Sequence, residues 1–213
     1  MNSFAKVAIV AASLVGVLAP SAEAAAFLPT GPKQDVSFSQ VTLGGWSLCY
    51  SATMNTPFGR SAATALSACT GNRILVAGRR TGNSNLLVLA QTLKAEALTD
   101  TGAADNGIFT ESNGTDWFNS DGWSFGFKPI DIGFTKQECT IFPVEYSLCL
   151  HTVDTVGGFS INAEWSDIIA NGRNYEKLVF SMNDVPEPSV WAMLIIGFGL
   201  VGAAARRRRQ AVA

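Results

Sequence analysis

From residue 116 the chain reads Asp116-Trp117-Phe118-Asn119-Ser120-Asp121-Gly122-Trp123, setting two tryptophans beside carboxylates and an amide. A sugar-binding face uses this combination, with apolar rings for the sugar's ring face and polar groups for its hydroxyls. Asp116, Trp117, Asp121 and Trp123 are therefore the candidate ligand-binding residues. The same eight residues also fit a hairpin whose alternate aromatics enter a core while Asn119 to Gly122 forms its turn.

Other chemistry finds fewer residues. Asp100, Asp105, Asn106, Glu111, Asp116 and Asp121 form an oxygen-rich region of the kind that holds calcium, but no EF-hand spacing occurs and solvated loops share this composition. His151 is the only histidine, with Asp154 three residues along, and no Gly-x-Ser-x-Gly elbow accompanies them. Glycoside hydrolysis needs two carboxylates at a defined separation, which a scattered set of acids neither supplies nor excludes. No catalytic residue, metal ligand or cofactor site is assigned.

Four cysteines, Cys49, Cys69, Cys139 and Cys149, give an even count. In an oxidising compartment this predicts two disulfides. Three pairings exist, and Cys49 with Cys69 and Cys139 with Cys149 is favoured because each closes a short loop. Zinc is disfavoured by the lack of any Cys-x-x-Cys spacing and by the single histidine.

The elements that must position these residues read as short strands. Period-two alternation or short apolar runs mark Val36 to Val41, Arg73 to Ala77, Asn85 to Ala90, Trp123 to Phe127, Ser147 to Thr152, Phe159 to Trp165 and Lys177 to Met182. Turn-forming clusters such as Arg80 to Asn85 and Glu111 to Thr115 separate them. Eight to ten strands at this spacing predict an all-β fold, an antiparallel sandwich-like domain. Ser61 to Ala68 reads as a short helix, and Trp165 to Ala170 as a further helical turn. Residues 25–184 suit one domain with its own core. Residues 25–185 carry ten Lys and Arg against fifteen Asp and Glu, a net of about −5, which offers no basic excess for nucleic acid or anionic lipid.

The C-terminus is of another kind. Residues 190–205 carry no charge, and with Val185 to Ser189 they approach the roughly 20 residues that span a bilayer core. Arg206, Arg207, Arg208 and Arg209 follow at once and read as a cytoplasmic stop. Ahead of the apolar run, Pro186, Glu187 and Pro188 disfavour regular helix and leave an extended segment. Trp191 stands near the start of the anchor, and Gly197, Gly199 and Gly202 thin the helix surface for close approach by another helix. This order, Pro-Glu-Pro, an aromatic-led apolar run, spaced glycines and an arginine block, closely resembles the PEP-CTERM sorting signal of Gram-negative bacteria. The resemblance implies that exosortase, a membrane-embedded cysteine protease, processes the chain near Pro186 to Pro188 and passes it to the cell surface or extracellular polymer matrix. Some ice-binding proteins carry the same tail. Nothing upstream here has the regular Thr-x-Thr ladders of an ice-binding face.

The N-terminus agrees with export. Lys6, the apolar run Val7 to Ala19 and Ala22-Glu23-Ala24 read as a secretory signal removed after about Ala24. Residues 1–24 are thus a signal peptide, 25–184 an exported β domain, and 185–210 a sorting and anchor segment holding the chain in the inner membrane before processing. Within the β domain, Gly45 to Tyr50, Ile74 to Ala77, Gly122 to Phe127 and Leu148 to Thr152 resemble, in that order, a secreted bacterial module and assign no site. The expected function is a non-catalytic surface or matrix protein binding exopolysaccharide or neighbouring matrix proteins. The alternative is a secreted hydrolase of that polymer, using carboxylates around Asp116 and Asp121, or His151.

Overall fold

Two-residue turns with both φ values positive favour tight antiparallel hairpins. Asn113 (φ 51°) with Gly114 (φ 70°) makes one such turn, and Asn162 (φ 49°) with Ala163 (φ 63°) another. The computed structural model describes residues 25–133, 135–136, 144–155, 157–165 and 172–184, with positions 195 and 198. Among the described residues eleven strands, numbered in chain order, form two sheets. The first holds β1 (Lys33–Ser37), β2 (Ser47–Thr53), β3 (Arg73–Arg80), β4 (Asn85–Leu93) and β11 (Tyr175–Met182), in the order β1-β4-β3-β11-β2. The second is a meander of β5 (Thr110–Ser112), β6 (Thr115–Ser120), β7 (Ser124–Lys128), β8 (Leu148–His151), β9 (Gly158–Ile161) and β10 (Glu164–Trp165). Every strand pair is antiparallel.

The core follows from strand alternation. Ile74, Val76, Val88, Ala90 and Val179 from the first sheet meet Trp117, Phe125, Phe127, Leu148, Leu150 and Ile161 from the second, all buried. The sheets approach so closely that a Cβ at Gly78 would lie 2.8 Å from Ile161 Cγ2. The far face of the first sheet, with Leu75, Leu178 and Phe180, is covered by Val41 and Trp46. Trp46 is fixed there by Nε1 donating to Phe27 O at 2.7 Å. On the far face of the second sheet, Phe118 and Cys149 lie under Phe109, Ile132 and Val144. Gly126 is needed between them, because a Cβ there would sit 2.0 Å from Leu148 O and 2.9 Å from Phe118 Cζ.

Several local expectations change. The alternating run Val36 to Val41 is not one strand: β1 stops at Ser37, and α1 (Phe38–Leu43) follows. The Ser37 side chain accepts from Gln40 N at 3.1 Å, an N-cap that outweighs the period-two pattern. The second helix, α2, is shorter than expected, at Ala62–Ala65, and α3 (Lys94–Ala97) was not anticipated. Phe159 to Trp165 folds as the β9–β10 hairpin rather than one strand, with Trp165 in β10. Residues 166–170 lie outside the described residues.

One disulfide joins Cys49 and Cys69, as the short-loop argument expected. Cys149 is also disulfide-bonded. Cys139 lies outside the described residues. The expected signal peptide, residues 1–24, lies outside them too, as does the anchor apart from Ile195 and Phe198, both helical and exposed. Among the described residues no helix is long and apolar enough to cross a membrane.

Candidate functional site

Asp116 and Trp117 are consecutive on β6, so their side chains leave opposite faces of the sheet. Trp117 points inward, fully buried and tilted against Phe127 with ring centroids 5.3 Å apart. It therefore corrects the expectation of a glycan-stacking ring: its surface is already spent on the core. Asp121 is exposed in the β6–β7 turn, and Trp123, just past it, is half-buried and edge-on to His151 at 6.2 Å. The four expected residues do not converge on one surface.

Asp116 instead faces an open cleft of about 510 Å³ on the far side of the second sheet. Its walls include Phe109, Glu111, Asp116, Lys128, Asp131 and Ile132. Strand register sets the polar floor: Glu111 on β5 and Lys128 on β7 are both direct cross-strand partners of Asp116. Lys128 Nζ donates to Asp116 Oδ2 at 2.5 Å, with its side chain only 3% exposed, and lies 4.3 Å from the Phe109 ring centroid. The ion pair and the cation–π contact compensate an ammonium that water no longer solvates. Phe109, Lys128 and Asp131 were not singled out in the sequence. Alternation alone could have found Lys128, since it shares the outward phase of Asp116 across the hairpin.

Beside the cleft, the oxygen-rich loop is organised by an amine. Lys136 Nζ donates to Asn106 Oδ1 at 2.5 Å and Thr101 O at 2.7 Å, with Thr101 Oγ1, Gly102 O and Ile108 O at 3.3–3.5 Å. Burial pushes this amine below the usual lysine range, and Asp100 and Asp105 oppose the shift. Asp100 itself caps Gly102 N at 2.8 Å. Of the acids considered for calcium, Asp100 caps a loop amide and Asp116 pairs with Lys128, and among the described residues no three His, Cys, Asp or Glu side chains gather as a metal-ligand set.

His151 and Asp154 do not form a relay. Asp154 pairs with Arg60 at 2.8 Å on the surface. His151 Nδ1 lies 3.3 Å from Trp123 O, and its cross-strand partner Ser124 keeps a buried hydroxyl with no hydrogen-bond partner among the described residues. Burial lowers the His151 pKa, the Trp123 carbonyl opposes this, and the charge of Lys177 lowers it further. Lys177 was missed because lysine reads as surface. It is fully buried on β11, with Nζ donating to Thr56 O and 5.7 Å from the Phe58 ring centroid. Burial brings its pKa down to about 7.

The sorting residues Pro186, Glu187 and Pro188, the anchor residues Trp191, Gly197, Gly199 and Gly202, and Arg206 to Arg209 lie outside the described residues. Comparison with protein families supplies what geometry does not: residues 184–209 match the PEP-CTERM protein-sorting motif. No curated protein matches the chain, and no solved structure does. The segment is a sorting signal recognised by exosortase, and it implies export with transient membrane anchoring before processing.

Proposed function

We propose that the chain is a sorted surface or matrix protein whose β domain binds exopolysaccharide through the cleft of the second sheet, without catalysing its turnover. The carrying observation is the cleft itself, where Phe109 and Ile132 offer apolar surface beside Glu111, Asp116, Asp131 and Lys128. Apolar contact with a few converging polar groups is how a concave site holds a sugar. Exosortase acts at Pro186 to Pro188 in this reading, and the released domain stays with the polymer.

The second reading, a hydrolase of the same polymer, draws on Glu111 and Asp116 standing directly across from each other. It is weaker because Asp116 is committed to Lys128. The test is retention of the full chain on host exopolysaccharide, compared with Glu111→Gln and Asp131→Asn together. Loss of retention without loss of folding supports the cleft; unchanged retention removes it. Release of new reducing ends from the polymer, abolished in Glu111→Gln, would establish the hydrolase instead.

A further inference from the structure

The last strand of the first sheet runs straight into the sorting motif. β11 is paired on both sides nearly to its end, Ser181 with Ser47 and Ile74, and Met182 with Arg73. The Met182 backbone lies against Gly71, where a Cβ would come within 2.4 Å of Met182 O. Two residues on, Asp184 is held at three points. Its N–H donates to Asn72 Oδ1 at 2.8 Å, Asn72 Nδ2 donates to Asp184 Oδ2 at 2.9 Å, and Arg73 Nε donates to Asp184 Oδ1 within an ion pair. Arg73 is steadied in turn by Nη1 donating to Gln91 Oε1 at 3.2 Å.

Asp184 is also where the sorting-motif match begins, and Pro186 is only two residues beyond it. At about 3.3–3.6 Å per extended residue, Pro186 lies no more than about 7 Å of chain from this clasp.

We infer that Asn72, Arg73 and Asp184 are positioning residues for processing at the sorting motif, setting the N-terminal limit of the backbone that exosortase engages. The inference rests on the reading that the motif is processed. A protease acts on backbone that has left its own hydrogen bonds, and its rate follows how readily that opening occurs. Upstream of Val185, opening means breaking the clasp and then stripping β11 from two neighbours. The bond that breaks therefore lies C-terminal to Asp184. Water supplies hydroxyl to its carbonyl carbon and a proton to the departing amine of the tail. Because the clasp also keeps the motif at the rim of a folded domain, it restrains the rate.

The test follows full-length chain in host cells by pulse-chase and by mass of the mature C-terminal peptide. It compares the natural chain with Asp184→Ala, Asn72→Ala and a flexible Gly-Ser insertion between Asp184 and Val185. The insertion leaves the clasp and the fold intact, and formation of the Cys49–Cys69 disulfide reports folding in each form. The natural chain should end C-terminal to Asp184, and all three altered chains should be processed several-fold faster. A natural terminus N-terminal to Asp184, or rates within about twofold throughout, overturns the inference. Unaltered processing of a Glu187→Ala chain overturns the processing reading beneath it, a distinct result.

Discussion

Replacing Lys177 by methionine should stabilise the β domain at neutral pH. The lysine is fully buried, its Nζ donates to Thr56 O, and no carboxylate is among its ion pairs or hydrogen bonds in the described residues. Its pKa falls from the ordinary 10.5 to about 7 because burial penalises the charged form. Between these pH values the unfolded chain holds a proton that the folded chain lacks. Stability therefore rises with pH through this window, levels off above 10.5 and is lowest below 7. That interval is worth about 5 kcal/mol, at about 1.4 kcal/mol per tenfold change in proton affinity. Methionine keeps the unbranched shape without the proton and forfeits one hydrogen bond of about 1 kcal/mol, so the gain at pH 7 should be about 3 kcal/mol. Urea unfolding of the full chain in detergent, followed by tryptophan fluorescence from pH 6.5 to 10.5, measures both slopes. Natural-chain stability that stays flat or falls across that range, or a Lys177→Met chain less stable at pH 7, would refute the reasoning.

The remaining predictions concern the frame around the cleft. Trp117→Ala should cost about 3–5 kcal/mol by opening a core cavity, whereas Asp121→Asn in the exposed turn should cost under about 0.5 kcal/mol; the same unfolding curves separate them. Replacing Cys49 and Cys69 together by alanine should lower stability by about 3 kcal/mol, the chain-entropy value for a loop of this length, seen as a lower urea midpoint with a slope that is unchanged or steeper as the uncrosslinked chain expands. Lys136→Met should leave the sheets intact but raise amide hydrogen exchange selectively in residues 101–108, whose oxygens now converge on its ammonium. Equal protection in both chains would show that the loop orders itself without the amine.

Much of the strand pattern was legible because its signals were local. The cluster Glu111 to Thr115 marked the turn at Asn113-Gly114, and apolar runs marked β3, β4 and β11. Ser37 shows where local reading fails: as an alternating residue it extends β1, yet as a cap it starts α1, and tertiary burial of Val41 decides between them. At the cleft, composition pointed to the hairpin that carries Asp116 but grouped residues of opposite faces, since Trp117 and Asp116 are chemically attractive together but a pleated strand separates them. Alternation places Lys128 beside Asp116, but the burial of Lys128, Lys136 and Lys177 was illegible for a common reason. A lysine's default is solvent, and only the assembled fold supplies the carboxylate, carbonyls and aromatic faces that hold each one inside. The sorting segment was the opposite case, because its information lies in sequence order rather than in packing.

The position of β11 also imposes a schedule on folding. β2 and β3 are each paired with β11 but not with each other, so the first sheet has a gap until Tyr175 to Met182 arrives. Export in chain order delivers that strand after every other described one, leaving β2 without its only partner and β3 with a bare edge until Tyr175 to Met182 has crossed. Bare edges recruit foreign strands. The interval before β11 emerges is therefore when this chain is most exposed to aggregation and most dependent on chaperones.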